Sequence, residues 1–354
     1  MAQGICLFLI AILFSSLTAC SNTVEWQLED YTDRVAHVLE QELPDIPTIE
    51  LPYQSARQNQ LPVDVESINL LEFLKLNRCQ LGRVVAQQNS ALGKVAPPSQ
   101  VMHFYRDFLI YGPPCIENLK TEDLKLADVI DRAVTQKQFQ RMNVWWNAWT
   151  GYEEWQALTS IAATPINYKD NTPYLSVSLQ VLDFAIQQGR GWRDGQYEYD
   201  DKSMEEQLKQ LRFSESIGRW LRSAMLLIQA LEKTAHVLDQ RLKQQPLCVS
   251  RNDKSKSDIL FNVFRKYYVG EVQPYLSKVH VYGGQISDRL DRLTQMVEPP
   301  RSFVSWRKQI DAINHLLQDT SRRHVRLWQV TLSNCDLMPN PQQLKNEEQA
   351  LTGQ

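Results

Sequence analysis

The sequence predicts an all-α protein, a multi-helix bundle with long antiparallel helices. Three observations carry this. Apolar residues recur at steps of three and four, which line one helical face, and not at the step of two that a half-buried strand requires. Glycine is scarce, 13 in 354 residues, and falls mostly at the breaks between periodic stretches. Helix-start signatures of the form Asn/Ser/Thr-x-x-Glu recur along the chain.

Taken in order, Asn22-x-x-Glu25 opens a first helix with Leu28, Tyr31, Val35 and Val38 on one face. Pro44, Pro47, Pro52 and Pro62 then impose an extended segment over about 43–63, a strap across the body or a linker, because proline and the residue before it both resist helix. A helix from about Ser67 to Leu92 carries Leu71, Leu74 and Cys79. Pro97-Pro98-Ser99 makes a turn with Ser99 as N-cap, and the helix HFYRDFLIY ends at Gly112-Pro113-Pro114. Thr121 caps a long helix to about Trp149, and Thr150-x-x-Glu153 starts a short one. Thr172-Pro173 sets proline at a first helical position, and Gly189 sits where a C-terminal glycine belongs. Ser203-x-x-Glu206 opens the longest pattern, to about Gln244, with a bend at Phe213-Ser214. Its stripe runs through Ile217, Leu221, Ala224, Ile228, Leu231, Ala235, Leu238 and Leu242. Asp258 to about Met296 follows, with a break near Gly270 and Pro274, and Pro299-Pro300 stops it. Two final helices hold Trp306, Ile310, Ile313 and Leu317, then Val325, Trp328 and Leu332.

The N-terminus supplies an address. Residues 1–19 carry no charged side chain, and Ile5 to Phe14 is a continuous apolar block. Ten residues of helix span about 15 Å, half of a hydrocarbon core of about 30 Å, so the block fits a signal peptide and not a membrane span. Leu17-Thr18-Ala19-Cys20 then reads as a lipobox, with Cys20 the acylated first residue of the mature chain, palmitate among its chains. Stable attachment needs more than one acyl chain, which a triacylated cysteine supplies. Ser21 is not the aspartate associated with inner-membrane retention, so the expected location is the periplasmic face of the outer membrane. The expected organisation is a signal peptide over 1–19, one helical domain over 20–335 and a disordered polar tail over 336–354.

Composition narrows the function. The net charge is −3, and no basic block with interleaved aromatics points to nucleic acid. Removing Cys6 and Cys20 leaves Cys79, Cys115, Cys248 and Cys335, an even set in an oxidising compartment. Three pairings exist. Cys79–Cys115, flanking a predicted hairpin, and Cys248–Cys335, just past two helix ends, are favoured, at roughly 4 kcal/mol each by loop entropy.

The stretches QNSALGKVAPPSQ (88–100), VQPYL (272–276) and HVRLWQ (324–329) resemble a family of uncharacterised Gram-negative envelope lipoproteins, grouped as the domain of unknown function numbered three thousand and eighty. The resemblance covers most of the mature chain. It implies a lipoprotein built as one unit, and it carries no activity and no catalytic residue.

The residues themselves offer three places to look for chemistry. AHVLEQEL (36–43) and AHVLDQRL (235–242) repeat, so Asp33, His37 and Glu40 on one helix mirror Glu232, His236 and Asp239 on another. Partners three and four apart share a helical face, and facing sets of this kind bind metal in bundles; solvated surface pairs give the same spacing, and Asp311 with His315 repeats it. WWNAWTGYEEW places Trp145, Trp149, Tyr152 and Trp155 near a helix corner, either as core or as a stacking or docking patch. GRGWRDGQYEYDD (189–201) is an aromatic, acidic loop, a contact surface or a plain loop. No G-x-S-x-G, H-E-x-x-H or phosphate-loop motif occurs, and Ser305-x-x-Lys308 lacks its partner motif. The expectation is therefore a lipid-anchored binding or scaffolding protein of the envelope, without cofactor, membrane-attached through Cys20 and working through an envelope protein partner. The alternative is a metal-binding protein or enzyme using the paired acid–histidine helices.

Overall fold

The structure, a computed structural model, describes residues 23–50, 55–64, 75–168, 173–244, 247–248 and 254–337. Among them every regular element is helical and no strand occurs.

Helix α1 (Val24–Leu39) is capped by Thr23, whose hydroxyl accepts from the Trp26 N–H at 3.2 Å. Asn22 lies outside the described residues. Leu28, Tyr31 and Val35 are buried as the spacing predicts. Residues 41–50 are irregular, and a short turn at Ala56–Asn59 leads into an extended run to Asp64. This run is a strap. Its main chain is held by side chains, as a bound peptide is: the Asn147 amide accepts from Leu61 N at 2.7 Å and donates to Leu61 O at 2.9 Å. Asn143 Nδ2 donates to Pro62 O at 2.9 Å and Trp146 Nε1 to Asn59 O at 2.7 Å. These bonds replace the ladder that a lone extended segment lacks.

A small core follows, made by α2 (Gln80–Asn89), α3 (Pro98–Lys120) and the first half of α4 (Leu124–Thr150). Several expected boundaries move here. The helix expected over Ser67–Leu92 falls partly outside the described residues. Where described it is interrupted: Cys79 is extended, and α2 stops before Ser90. Ser99 is not a cap, because Pro97 takes that place and Ser99 is buried in the first turn. The expected stop at Gly112-Pro113-Pro114 does not occur, and α3 continues to Lys120 with both prolines inside. Interior proline costs about 3 kcal/mol; the turn beyond it buries Cys115, Ile116 and Leu119 and carries one end of the Cys79–Cys115 disulfide. Asp123, not Thr121, caps α4, accepting from Leu126 N at 3.1 Å.

The large core gathers around α8 (Ser216–Gln244), which packs on α1, α10 (Gln273–Thr294) and α11 (Arg301–Ser333). The predicted stripe from Ile217 to Leu238 is buried, at about 1.5–3 kcal/mol per large side chain. The long pattern is two helices, since Glu215 adopts a left-handed φ of 46° between α7 (Asp201–Ser214) and α8. Asp200, not Ser203, caps α7, accepting from Ser203 N at 2.7 Å. Thr150-x-x-Glu153 forms no capping box: Thr150 bonds back to Trp146 O, and α5 (Glu153–Leu158) begins after Tyr152. Gly189 does not end α6 (Pro173–Arg193); it lies inside it, where a Cβ would stand 2.6 Å from the Trp145 ring, so glycine here is a packing requirement. The two helices expected at the end are one, α11.

The predicted break near Gly270 and Pro274 is a π-helical segment, Phe264–Val272, joining α9 (Lys254–Val263) to α10 without interruption. Pro274 has no N–H for the carbonyl four residues back. The chain changes spacing before reaching it, with Gln273 N–H bonding Tyr268 O five residues back. Cys248–Cys335 closes the bundle's far end. Both disulfides pair as the sequence predicts, with Cα separations of 5.5 and 5.3 Å. No helix among the described residues is long and apolar enough to cross a membrane.

Candidate binding cleft

The π segment has two faces, and each carries chemistry. Its i→i+5 bonding sets residues four and five apart on one side. Lys266, Tyr267, Gly270 and Glu271 thereby line one cleft of about 500 Å³, continued by Tyr275 and Lys278 from α10 and closed by Trp26, Gln27, Asp30 and Arg34 from α1 and Tyr168.

The cleft wall is aromatic and charged. Tyr168 stacks on Tyr275 with ring centroids 4.5 Å apart and planes 9° from parallel. Tyr275 donates to Ile166 O at 2.9 Å. Arg34 pairs with Asp30 at 2.8 Å, a bond that raises its already high pKa, and its guanidinium lies 4.4 Å over the Tyr267 ring. Lys266 approaches the same ring at 5.2 Å. Burial raises the Tyr168 and Tyr275 hydroxyls well above the ordinary phenol range, so both stay protonated. Two buried polar atoms facing this region have no hydrogen-bond partner among the described residues: Gln27 Oε1, an acceptor, and the Tyr168 hydroxyl. Glu271 and Lys266 have no ion-pair partner there either. Trp26, 44% exposed, stands at the mouth.

The other face of the π segment carries Tyr268 into the core. Its ring centroid lies 4.6 Å from that of His324, a fully buried histidine on α11. Tyr31 Oη stands 2.8 Å from His324 Nε2, and Trp328 Nε1 donates to Tyr31 Oη at 2.9 Å. Trp328 Nε1 also lies 3.2 Å from His324 Nε2, and an indole only donates, so Nε2 acts as an acceptor and the imidazole hydrogen sits on Nδ1. Nδ1 has no partner among the described residues. Burial drives the His324 pKa from 6.5 to about 3, so the ring is neutral near pH 7. It is a fixed wedge behind the cleft.

A family model described as Protein of unknown function (DUF3080) matches residues 28–339. The chain belongs to this family. No curated protein and no solved structure matches the chain. The DUF3080 match contains the whole π segment, all of α11 and α1 from Leu28. Of the stretches that carried the resemblance, VQPYL supplies Pro274 and Tyr275 to the cleft, and HVRLWQ supplies His324 and Trp328 to the network behind it.

The site residues expected from sequence scatter differently. Trp145, Trp149 and Trp155 are buried, each indole filling core, so they form no exposed patch. Trp145 Nε1 bonds Ala185 O at 3.0 Å, and Trp149 Nε1 bonds Gln188 Oε1 at 2.8 Å. Tyr152 alone is exposed; it lines a second groove of about 740 Å³ with Leu61, Val63, Val95 and Val101. In that groove the Asn147 amide is already committed to the strap. Of the acid–histidine sets, Glu40 pairs with Lys256, Asp239 with Lys243, and Glu232 with Thr320 and Arg323; Asp33 and His37 are exposed and His236 is half-buried. Helices α1 and α8 do pack together, yet no three His, Cys, Asp or Glu side chains among the described residues stand where they could hold a metal. The acidic loop docks on α3: Tyr199 Oη lies 2.7 Å from His103 Nδ1, and Glu205 Oε1 lies 3.3 Å from His103 Nε2. Lipobox residues Leu17, Thr18, Ala19 and Cys20 lie outside the described residues, as does the tail from 338. Sequence reasoning missed the cleft. Its one local signal was the helical pattern around Gly270 and Pro274.

Proposed function

We propose that this is an outer-membrane lipoprotein, anchored through Cys20 and facing the periplasm, that acts by binding and not by catalysis. The address rests on Leu17-Thr18-Ala19-Cys20 and the apolar block before it. The binding role rests on one observation above others: a cleft with two unsatisfied buried polar atoms, an aromatic wall and two unpaired charges, built on a π segment. A native chain tolerates unsatisfied polar groups at a cost of about 1–3 kcal/mol each, and a ligand that pairs them recovers that cost. π segments recur at functional sites for a related reason, since their side chains are offset from the regular helical ridge.

The test has two arms. Envelope fractionation should place the chain with the outer membrane and release a Cys20→Ser variant to the soluble periplasm. With Trp26 replaced by a photoreactive phenylalanine, irradiated cells should give a discrete adduct that disappears when Lys266→Gln and Glu271→Gln are combined. A chain found soluble with Cys20 intact overturns the anchor. An absent adduct overturns the cleft.

A further inference from the structure

The cleft leaves behind a specific set of unmet needs. Glu271 is an anion and Lys266 a cation, one π turn apart, and neither forms a salt bridge among the described residues, although the Glu271 charge is felt at Arg34. Gln27 Oε1 needs a donor, and the Tyr168 hydroxyl needs a partner. The stacked rings of Tyr168 and Tyr275 offer a face to a cation or an apolar group.

Ligand classes meet these needs unequally. A simple anion takes up Lys266 and the Tyr168 O–H but leaves Gln27 and Glu271 with nothing. A simple cation leaves Lys266. A neutral sugar satisfies the polar atoms but brings no charge for the half-buried Glu271 or for Lys266 at the rim. A primary ammonium joined to a phosphate satisfies all four: its N–H groups reach Glu271 and Gln27 Oε1, and its phosphate oxygens accept from Lys266 and Tyr168.

The sequence then says where such a group is within reach. Cys20 precedes Thr23 by three residues, at most about 11 Å of extended chain. Trp26 and Gln27 stand in the first turn of α1, about 5 Å further along at 1.5 Å per residue. An acylated Cys20 holds the cleft mouth at the bilayer surface, where Trp26, half out of the protein, sits at the depth that indoles prefer.

We propose that the cleft binds the headgroup of a zwitterionic aminophospholipid of the anchoring membrane. This deepens the binding reading above and rests on it. The anchored chain holds a headgroup more firmly than the cleft alone does, because the anchor supplies a high effective concentration of headgroups.

The test uses the full mature chain with Cys20→Ser, floated with vesicles of phosphatidylcholine, or of phosphatidylcholine mixed with phosphatidylethanolamine or with phosphatidylglycerol. Binding should be about tenfold tighter to the phosphatidylethanolamine vesicles than to either other kind, because choline has no N–H for Gln27 and phosphatidylglycerol has no cation for Glu271. Soluble glycerophosphoethanolamine should compete. Glu271→Gln should weaken the preference about tenfold, and Lys266→Gln should weaken binding to every vesicle by a similar factor, both with unchanged thermal melts, since both side chains lie at the rim. Equal or tighter binding to phosphatidylglycerol vesicles overturns the proposal, as does no vesicle binding. Free glycerophosphoethanolamine that binds as tightly as the phosphatidylethanolamine vesicles overturns the membrane source. Fractionation keeps the two readings apart: an outer-membrane chain that ignores phosphatidylethanolamine loses only this proposal, and a vesicle-binding chain that is not anchored in cells loses the anchor.

Discussion

The small core between α2, α3 and the start of α4 buries Phe108 as its largest ring, whereas the large core around α8 buries Trp145, Trp146, Trp155, Trp192, Trp220 and Trp328. The two also use their disulfides differently. Cys79 and Cys115 are members of the small core, while Cys248 and Cys335 are only partly buried and pack on the rim of the large one. A core of mostly Leu, Val, Ile and Ala with one phenylalanine gathers less area than one filled with indoles, so a covalent link inside it makes up part of the deficit. The large core buries far more aromatic area, and the π segment, the unsatisfied polar groups and the candidate cleft lie at its edge.

The largest effect should come from the large core. Trp220→Ala removes a fully buried indole whose Nε1 donates to Val279 O at 3.0 Å, and should lower global stability by about 3–5 kcal/mol in a denaturant titration. A small change there would break the contrast between the cores. Next, Cys79→Ser with Cys115→Ser should cost about 2–4 kcal/mol, and the loss should be local. Hydrogen exchange should speed in α2 and α3 while α8 stays protected; uniform acceleration would mean that the two cores melt as one.

His324 sharpens the comparison through pH. Its folded pKa is about 3 against an ordinary 6.5, so the unfolded chain binds the extra proton between those values. Its contribution is intact above pH 6.5 and is lost as pH falls toward 3, by up to about 1.4 kcal/mol per pH unit. His324→Gln should flatten that slope in acid-to-neutral melts. The smallest effect has the opposite sign. Tyr168→Phe removes a buried hydroxyl with no partner and should raise stability by up to about 1 kcal/mol, while weakening whatever the cleft binds. A destabilised variant would show that the hydroxyl is satisfied.

Much of the fold was legible because helical spacing is a local property. The buried faces of α1 and α8 and the pairing of all four cysteines follow from periodicity and from where helices end. The misread boundaries share a cause. Pro113-Pro114, Gly189 and Ser99 are strong local signals for a stop or a cap, and at each the tertiary environment outweighs local preference: a disulfide and three buried side chains beyond the prolines, the Trp145 ring against Gly189, Pro97 ahead of Ser99. The tryptophan cluster was found but its exposure was not, since spacing alone does not say which side of a corner faces solvent.

The sequence by itself determined the helical class, the amphipathic stripes and the disulfide pairs, because each depends on neighbours within a few turns or on a counting argument. Only the tertiary structure decided that Trp26, Tyr168 and Glu271 meet in one cleft, that His324 is neutral, and that the strap is clasped by Asn147. Those facts depend on residues more than eighty positions apart or on burial, and neither leaves a period in the chain.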